Sequence, residues 1–240
     1  MQNEAIKELQ NRTNPGTEKN GELQSPANSG MDNSDVMRML REAAILFAIT
    51  LISGVLLGFV YELTKEPIRV QQEKAIQEAC MAVLPGAEAA GVSFRPMEYT
   101  VAESLSGELA ANGVTIGTVY EAVAVDGTLY GYVTESTSSQ GYGGNIVLYT
   151  GVDLTGKVGG VSILTLTETA GLGMEAPNVL VPQFAGKQVE KFKYTKSGSQ
   201  SEDQVDAISG ATITTKAVVN AVNGGLAVAQ DLLQGGGQNE

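Results

Sequence analysis

Residues 206–215 read DAISGATITT, and four of the ten carry a hydroxyl: Ser209, Thr212, Thr214 and Thr215. The run leads straight into a segment with helical apolar spacing. Gly210 lets the backbone turn, and Ala211 keeps that turn uncrowded. Free amides and the positive end of the following helix favour a phosphate at such a place, with the hydroxyls as extra donors. Ser and Thr also cap helix starts, and spacing alone leaves both readings open. Upstream lies ETAGLG, Glu168-Thr169-Ala170-Gly171-Leu172-Gly173. Gly171 and Gly173 free the backbone to approach a flat ligand, and Leu172 offers it an apolar contact. A glycine-rich turn after a strand accounts equally well for that pattern. A third stretch, Gly141-Tyr142-Gly143-Gly144, reads as a loop at a strand entry.

What is missing narrows the chemistry. The chain has no histidine and one cysteine, Cys80. No Ser-His-Asp or Cys-His system can be built from it, and no catalytic residue is assigned. Cysteine-ligated zinc and iron–sulfur sites cannot be assembled within the chain, and no metal ligands are assigned. An internal disulfide is excluded by the single thiol. Net charge is −12, and no basic patch with interleaved aromatics stands out, so nucleic acid is not an expected partner.

The elements that must position these residues follow from periodicity. Residues 1–42 are polar and are expected to be disordered and cytoplasmic, with a short helical approach over Ser34–Arg41. Ala43–Val60, AAILFAITLISGVLLGFV, runs 18 residues without a charge. At about 1.5 Å per residue it makes roughly 27 Å of helix, close to a bilayer core. A transmembrane helix is expected over 43–63. Arg38 and Arg41 flank one end and Lys65, Arg69 and Lys74 the other, so charge does not set its orientation. Residues 64–112 read as a helical connector. In it Ile76, Ala79, Cys80 and Val83 share an apolar face that buries the thiol. Short β runs follow at Val114–Val119, Ala122–Val125, Leu129–Glu135, Ile146–Val152 and Val158–Leu164, divided by turn signals. Two short helical pieces span 176–184, a polar loop spans 197–203, and a helix is expected from Thr214 to Leu233. Residues 113–233 thus form an α+β domain with a mostly antiparallel sheet and packing helices, and 234–240 a flexible tail.

Taken in order, the apolar span, ELTKEPI (Glu62–Ile68), GYGGNI, ETAGLG and DAISGAT resemble the G subunit of the Rnf electron-transport complex over about residues 40–233. Its FMN-binding domain is shared with the C subunit of the sodium-pumping NADH:quinone reductase. The resemblance implies one covalent FMN per chain, joined by a phosphoester to the motif's threonine, here Thr212, by a separate flavin transferase. It also implies a cofactor site made by Asp206, Ser209, Gly210, Ala211 and Thr212 together with Glu168, Thr169, Gly171, Leu172 and Gly173. Ala207 stands where the family often has glycine, and Ala170 where it often has proline. Neither change removes the acceptor hydroxyl.

The function so implied is a membrane-anchored flavoprotein subunit of an ion-translocating complex. It would relay electrons between ferredoxin and NAD, coupled to Na⁺ or H⁺ transport, and would not be catalytic alone. Its partners would be the other membrane and peripheral subunits and the flavin transferase. It would sit in the cell membrane as a single-pass protein, with the FMN domain extracytoplasmic. The alternatives are the C subunit of the quinone reductase, an anchored non-redox ligand-binding module, and a standalone flavin reductase.

Overall fold

The computed structural model describes residues 33–235, so the disorder expected upstream of residue 33 and most of the expected tail lie outside the described residues. The chain divides into two units, Met1–Leu63 and Thr64–Glu240. In the first, every described residue is helical. It forms the N-terminal part of α1 (Asn33–Val83), which starts before the apolar span and so takes in residues 33–42. This is the one helix among the described residues long and apolar enough to cross a membrane, with a mean hydropathy of 2.5 over its most apolar 18-residue window. None of that window is buried in the fold. Ile45, Leu46, Phe47 and Leu57 all stand exposed, as suits a helix whose solvent is lipid.

Rather than breaking at Pro67, α1 continues through it. Proline forfeits one helical hydrogen bond. Around it, Arg69 pairs with Glu66 at 2.6 Å and with Glu73 at 2.8 Å on the exposed surface. Such pairs contribute about 0.3–0.5 kcal/mol each.

The second unit is built on a five-stranded antiparallel meander in the order β1 (Ser93–Met97), β2 (Val114–Val123), β3 (Leu129–Ser138), β4 (Ile146–Asp153) and β5 (Val158–Thr165). Helix α2 (Glu103–Ala111) sits between the first two strands in sequence. The runs expected separately at 114–119 and 122–125 are one strand, joined across register irregularities at Ile116/Val119 and Ala122/Val123. The sheet also begins at Ser93, upstream of the expected boundary at 113. Pro96 disguises β1 in the sequence, and an edge position makes it tolerable.

Each face of the sheet has its own apolar layer. On one, the last turns of α1 supply Ala79, Cys80 and Val83, which with the adjoining Leu84 pack on Ala122, Val133 and Tyr149. Burial, with the negative charge of Glu135 as a lesser cause, pushes the Cys80 thiol up to about 12. The other face takes α4 (Thr212–Leu233), whose Val218, Ala221, Val222 and Leu226 are fully buried in a core with Ile146, Leu148 and Val152. Between β5 and α4 the chain makes the short helical pieces Gly173–Glu175, α3 (Ala176–Val179) and Val181–Gln183. A small parallel pair follows, β6 (Lys193–Thr195) on β7 (Gln204–Asp206). Strand β7 delivers the chain to the turn before α4.

Candidate functional site

The glycine-rich loops, far apart in sequence, converge at the N-terminus of α4. They enclose a cleft of about 450 Å³, within the usual range for a small-ligand site. The ETAGLG loop contributes Glu168, Thr169, Leu172 and Gly173, and the turn into the helix contributes Gly210, Ala211 and Thr212. Tyr142, Ile213 and Thr214 complete the lining. Of the residues expected there, Asp206, Ser209 and Gly171 do not line it.

The local geometry explains the residue types. Gly210 takes φ +78°, where a side chain is strained, and a Cβ there would meet Leu172 Cδ2 at 3.0 Å. Gly173 is constrained by space: a Cβ would lie 2.7 Å from Thr214 Oγ1, 2.8 Å from Glu168 Cβ and 2.9 Å from Glu168 Oε2. In the 141–144 loop, a Cβ on Gly143 would fall 2.1 Å from the Thr167 carbonyl oxygen. That loop therefore lies directly on the strand exit that carries Glu168.

The N-cap of α4 is Ala211, with no capping hydrogen bond from a side chain. Capping therefore does not account for Ser209 and the threonines. The helix starts at Thr212, two residues earlier than its apolar spacing indicates. Its first amides have no partner within the helix, and Thr212, Ile213 and Thr214 of that first turn line the cleft, which sets the positive helix end beside it.

The hydroxyls differ in what they do. Thr215 is fully buried; its Oγ1 donates to the Ala211 carbonyl at 2.9 Å and accepts from the Ile208 amide at 3.1 Å. It fastens the turn to the helix from inside. Thr214 is 2% exposed. Thr212 is half-buried at the cleft wall, and Ser209 is exposed outside it.

Asp206 ends β7, and its peptide is bracketed by Gln183. Gln183 Oε1 accepts from the Asp206 N–H at 2.6 Å, and Gln183 Nε2 donates to the Asp206 carbonyl at 3.2 Å. The Asp206 carboxylate receives the Ser199 hydroxyl at 3.5 Å through Oδ2, while Oδ1 is buried without a partner. Gln183 is invisible to sequence reasoning, because a glutamine in a short VPQ turn carries no signal of its own.

Tyr142 reads in the sequence only as part of a turn. Its ring is 71% exposed at the cleft, beside Leu172 and Ile213, which are 38% and 54% exposed. Three exposed apolar side chains thus share the cleft lining with a carboxylate, hydroxyls and the start of α4. Apolar side chains beside hydroxyls and a helix start suit a flat ring carrying a phosphorylated tail. Among the described residues, no group of His, Cys, Asp or Glu is arranged to hold a metal ion.

Residues 141–227, which contain all three cleft loops, match the FMN-binding domain family. Residues 31–83 match the RnfG N-terminal region. A relative from Acetobacterium woodii, the G subunit of a Na(+)-translocating ferredoxin:NAD(+) oxidoreductase complex, is 35% identical over 109 residues. That match covers 45% of this chain and 53%, about half, of the relative's length. The G subunit of the ion-translocating oxidoreductase complex of Vibrio vulnificus is 30% identical over 171 residues, 70% of this chain and 78% of that one. A crystal structure of Shewanella oneidensis NqrC is similar at a TM-score of 0.41 and 23% identity, over 49% of this chain and 59% of that one. This last likeness is too low to bear on the fold or on function. On the Vibrio vulnificus match, with the two family regions in the same order along the chain, the protein belongs to the family of G subunits of ion-translocating oxidoreductase complexes.

Proposed function

We propose that this chain is the membrane-anchored flavoprotein subunit of an ion-translocating oxidoreductase complex, and that it relays electrons through an FMN bonded to Thr212. The observation that carries this reading is the convergence of the three loops of the FMN-binding domain on the uncapped start of α4.

The residues present fit the group. The phosphate would lie at the first amides of α4, with Gly210 and Ala211 leaving room for it. Leu172, Tyr142 and Ile213 would flank the ring, and Glu168, Thr169 and Gly173 would line its approach. Thr212 is the acceptor best supported by geometry, because it lines the cleft and is half-buried. Thr214 and Thr215 are both buried, and the Thr215 hydroxyl is engaged in the turn. Asp206 and Ser209, outside the cleft, would serve as the part of the motif that a flavin transferase reads.

A threonine hydroxyl is a poor nucleophile without a base, and this chain has no histidine to activate it. Attachment by a separate transferase is consistent with that inventory. The bound FMN supplies one- and two-electron redox chemistry, and the protein supplies position and electrostatics. In the complex, electrons would pass between ferredoxin and NAD with Na⁺ or H⁺ transport, and the other subunits would be the donor and acceptor. The N-terminal helix would hold the chain in the cell membrane as a single span, with the FMN domain extracytoplasmic.

The test is co-expression of the full chain with a flavin transferase, followed by flavin fluorescence on a denaturing gel. The expected result is a fluorescent wild-type band and a dark Thr212→Ala band. A dark wild-type band, with the transferase active on a control substrate, overturns the covalent reading in favour of a reversible binding module.

A further inference from the structure

Glu168 uses its two carboxylate oxygens unequally. Oε1 accepts a hydrogen bond from the Tyr142 backbone N–H at 2.8 Å, across 26 residues of sequence. This ties the 141–144 loop to the ETAGLG loop. Oε2 is buried, and it has no hydrogen-bond partner among the described residues. It lies beside Gly173, 2.9 Å from the point a Cβ would occupy, and Thr214 Oγ1 lies 2.7 Å from the same point. Glu168 and Gly173 both line the cleft, and the absence of a side chain at Gly173 is what leaves room beside this buried oxygen.

A buried acceptor with nothing to accept is destabilising, and more so if it is charged. Such a group in a native fold calls for an explanation, and of the unpartnered buried side-chain atoms among the described residues Glu168 Oε2 is the one on a residue that lines the cleft. A carboxylate oxygen can only accept, so the missing partner is a donor. The geometry points to Glu168 as a positioning residue with a divided role: Oε1 holds the Tyr142 loop, and Oε2 accepts a hydrogen bond from the bound flavin nucleotide. The donor on that ligand is either its ring N–H or a hydroxyl of its sugar-alcohol chain. This inference rests on the FMN reading above and names the contact that would orient the cofactor.

Glutamine separates the two roles. In Glu168→Gln the amide oxygen must turn toward the Tyr142 N–H, because the amide nitrogen is itself a donor. The NH₂ group then faces the cleft and meets the ligand donor-to-donor. Glu168→Ala loses both contacts.

The full chain would be prepared in detergent as wild type and both variants, with and without a flavin transferase. Hydrogen exchange at the Tyr142 amide is read on the flavin-free chain. Visible circular dichroism and the midpoint potential are read on the loaded chain, per bound flavin. The expected result is wild-type protection of Tyr142 in Glu168→Gln and lost protection in Glu168→Ala. Both variants should show changed flavin dichroism. A potential moved to more positive values in Glu168→Gln, from loss of the carboxylate charge, identifies the ring N–H as donor. Changed dichroism at an unchanged potential identifies a chain hydroxyl.

Unchanged dichroism and potential in Glu168→Gln overturn the inference and leave Glu168 a loop clamp only. Lost Tyr142 protection in that variant also overturns the division of roles. A wild type that takes up no flavin overturns the FMN reading, and the inference with it.

Discussion

Replacing Thr215 by valine keeps the shape of a fully buried side chain and removes a single hydroxyl. That hydroxyl closes the turn before α4 by donating to Ala211 and accepting from the Ile208 amide. The two losses are unequal. The Ala211 carbonyl still receives the Thr215 N–H at 2.9 Å, whereas the Ile208 N–H is left with no acceptor in a buried site. An orphaned buried donor costs about 1–3 kcal/mol. For a domain of this size each kcal/mol moves the midpoint by about 2–4 °C, so a loss near 2 kcal/mol predicts a fall of about 4–8 °C. Near-ultraviolet circular dichroism of the detergent-solubilised chain is the suitable probe. It reads the packing of buried Tyr132 and Tyr149 rather than the helicity of a span held by the micelle. Thr215→Ser, which keeps the hydroxyl, should hold flavin attachment at the wild-type level, while Thr215→Val should lower it by loosening the turn that presents Thr212. A valine variant within about 1 °C of wild type would refute the claim that this hydroxyl fastens the turn, since even the low end of the range predicts more.

Two further perturbations address the cleft and the opposite face of the sheet. Gly173→Ala must push aside Glu168 and the Thr214 hydroxyl, all within 2.9 Å of the added carbon. Overpacking of this kind costs about 1–3 kcal/mol. Flavin bound per folded chain should fall sharply; full loading would show that the contact yields without cost. Cys80, buried and under the negative charge of Glu135, has its thiol raised to about 12 from a usual 9.0. The fold thus favours the neutral thiol. Its contribution to stability is complete below about pH 9 and is lost as pH climbs toward 12. A disulfide reagent at mildly alkaline pH should leave Cys80 untouched in the folded chain and label it promptly in urea; equal rates would contradict its burial.

The membrane span is legible because an uninterrupted apolar run states its own environment without any tertiary partner. The antiparallel α+β domain is legible for a similar reason, since turn signals cut the β runs and the last helix carries a clear apolar face. The gaps lie where position depends on distant contacts. Strand β1 hides behind Pro96, and only pairing with β2 makes it a strand. Tyr142 joins the site through a bond to Glu168, and Gln183 supports Asp206 across 23 residues. Neither link leaves a local trace. The hydroxyls of DAISGATITT show the opposite problem. In sequence they are equivalent donors or caps, and the fold separates them into an exposed Ser209, a half-buried Thr212 and a nearly fully buried Thr214 that both line the cleft, and a buried Thr215 that serves the turn.

The most direct test of the central claim is fragmentation mass spectrometry of the tryptic peptide Ser197–Lys216 from chain co-expressed with a flavin transferase. That peptide carries Ser197, Ser199, Ser201, Ser209, Thr212, Thr214 and Thr215 together, so the fragments discriminate among every candidate acceptor in the motif. The account predicts an added mass of FMN less one water, as a phosphoester requires, on Thr212 alone. The same mass on Thr214 or Thr215, or no added mass on this peptide while flavin remains attached elsewhere in the chain, would contradict it.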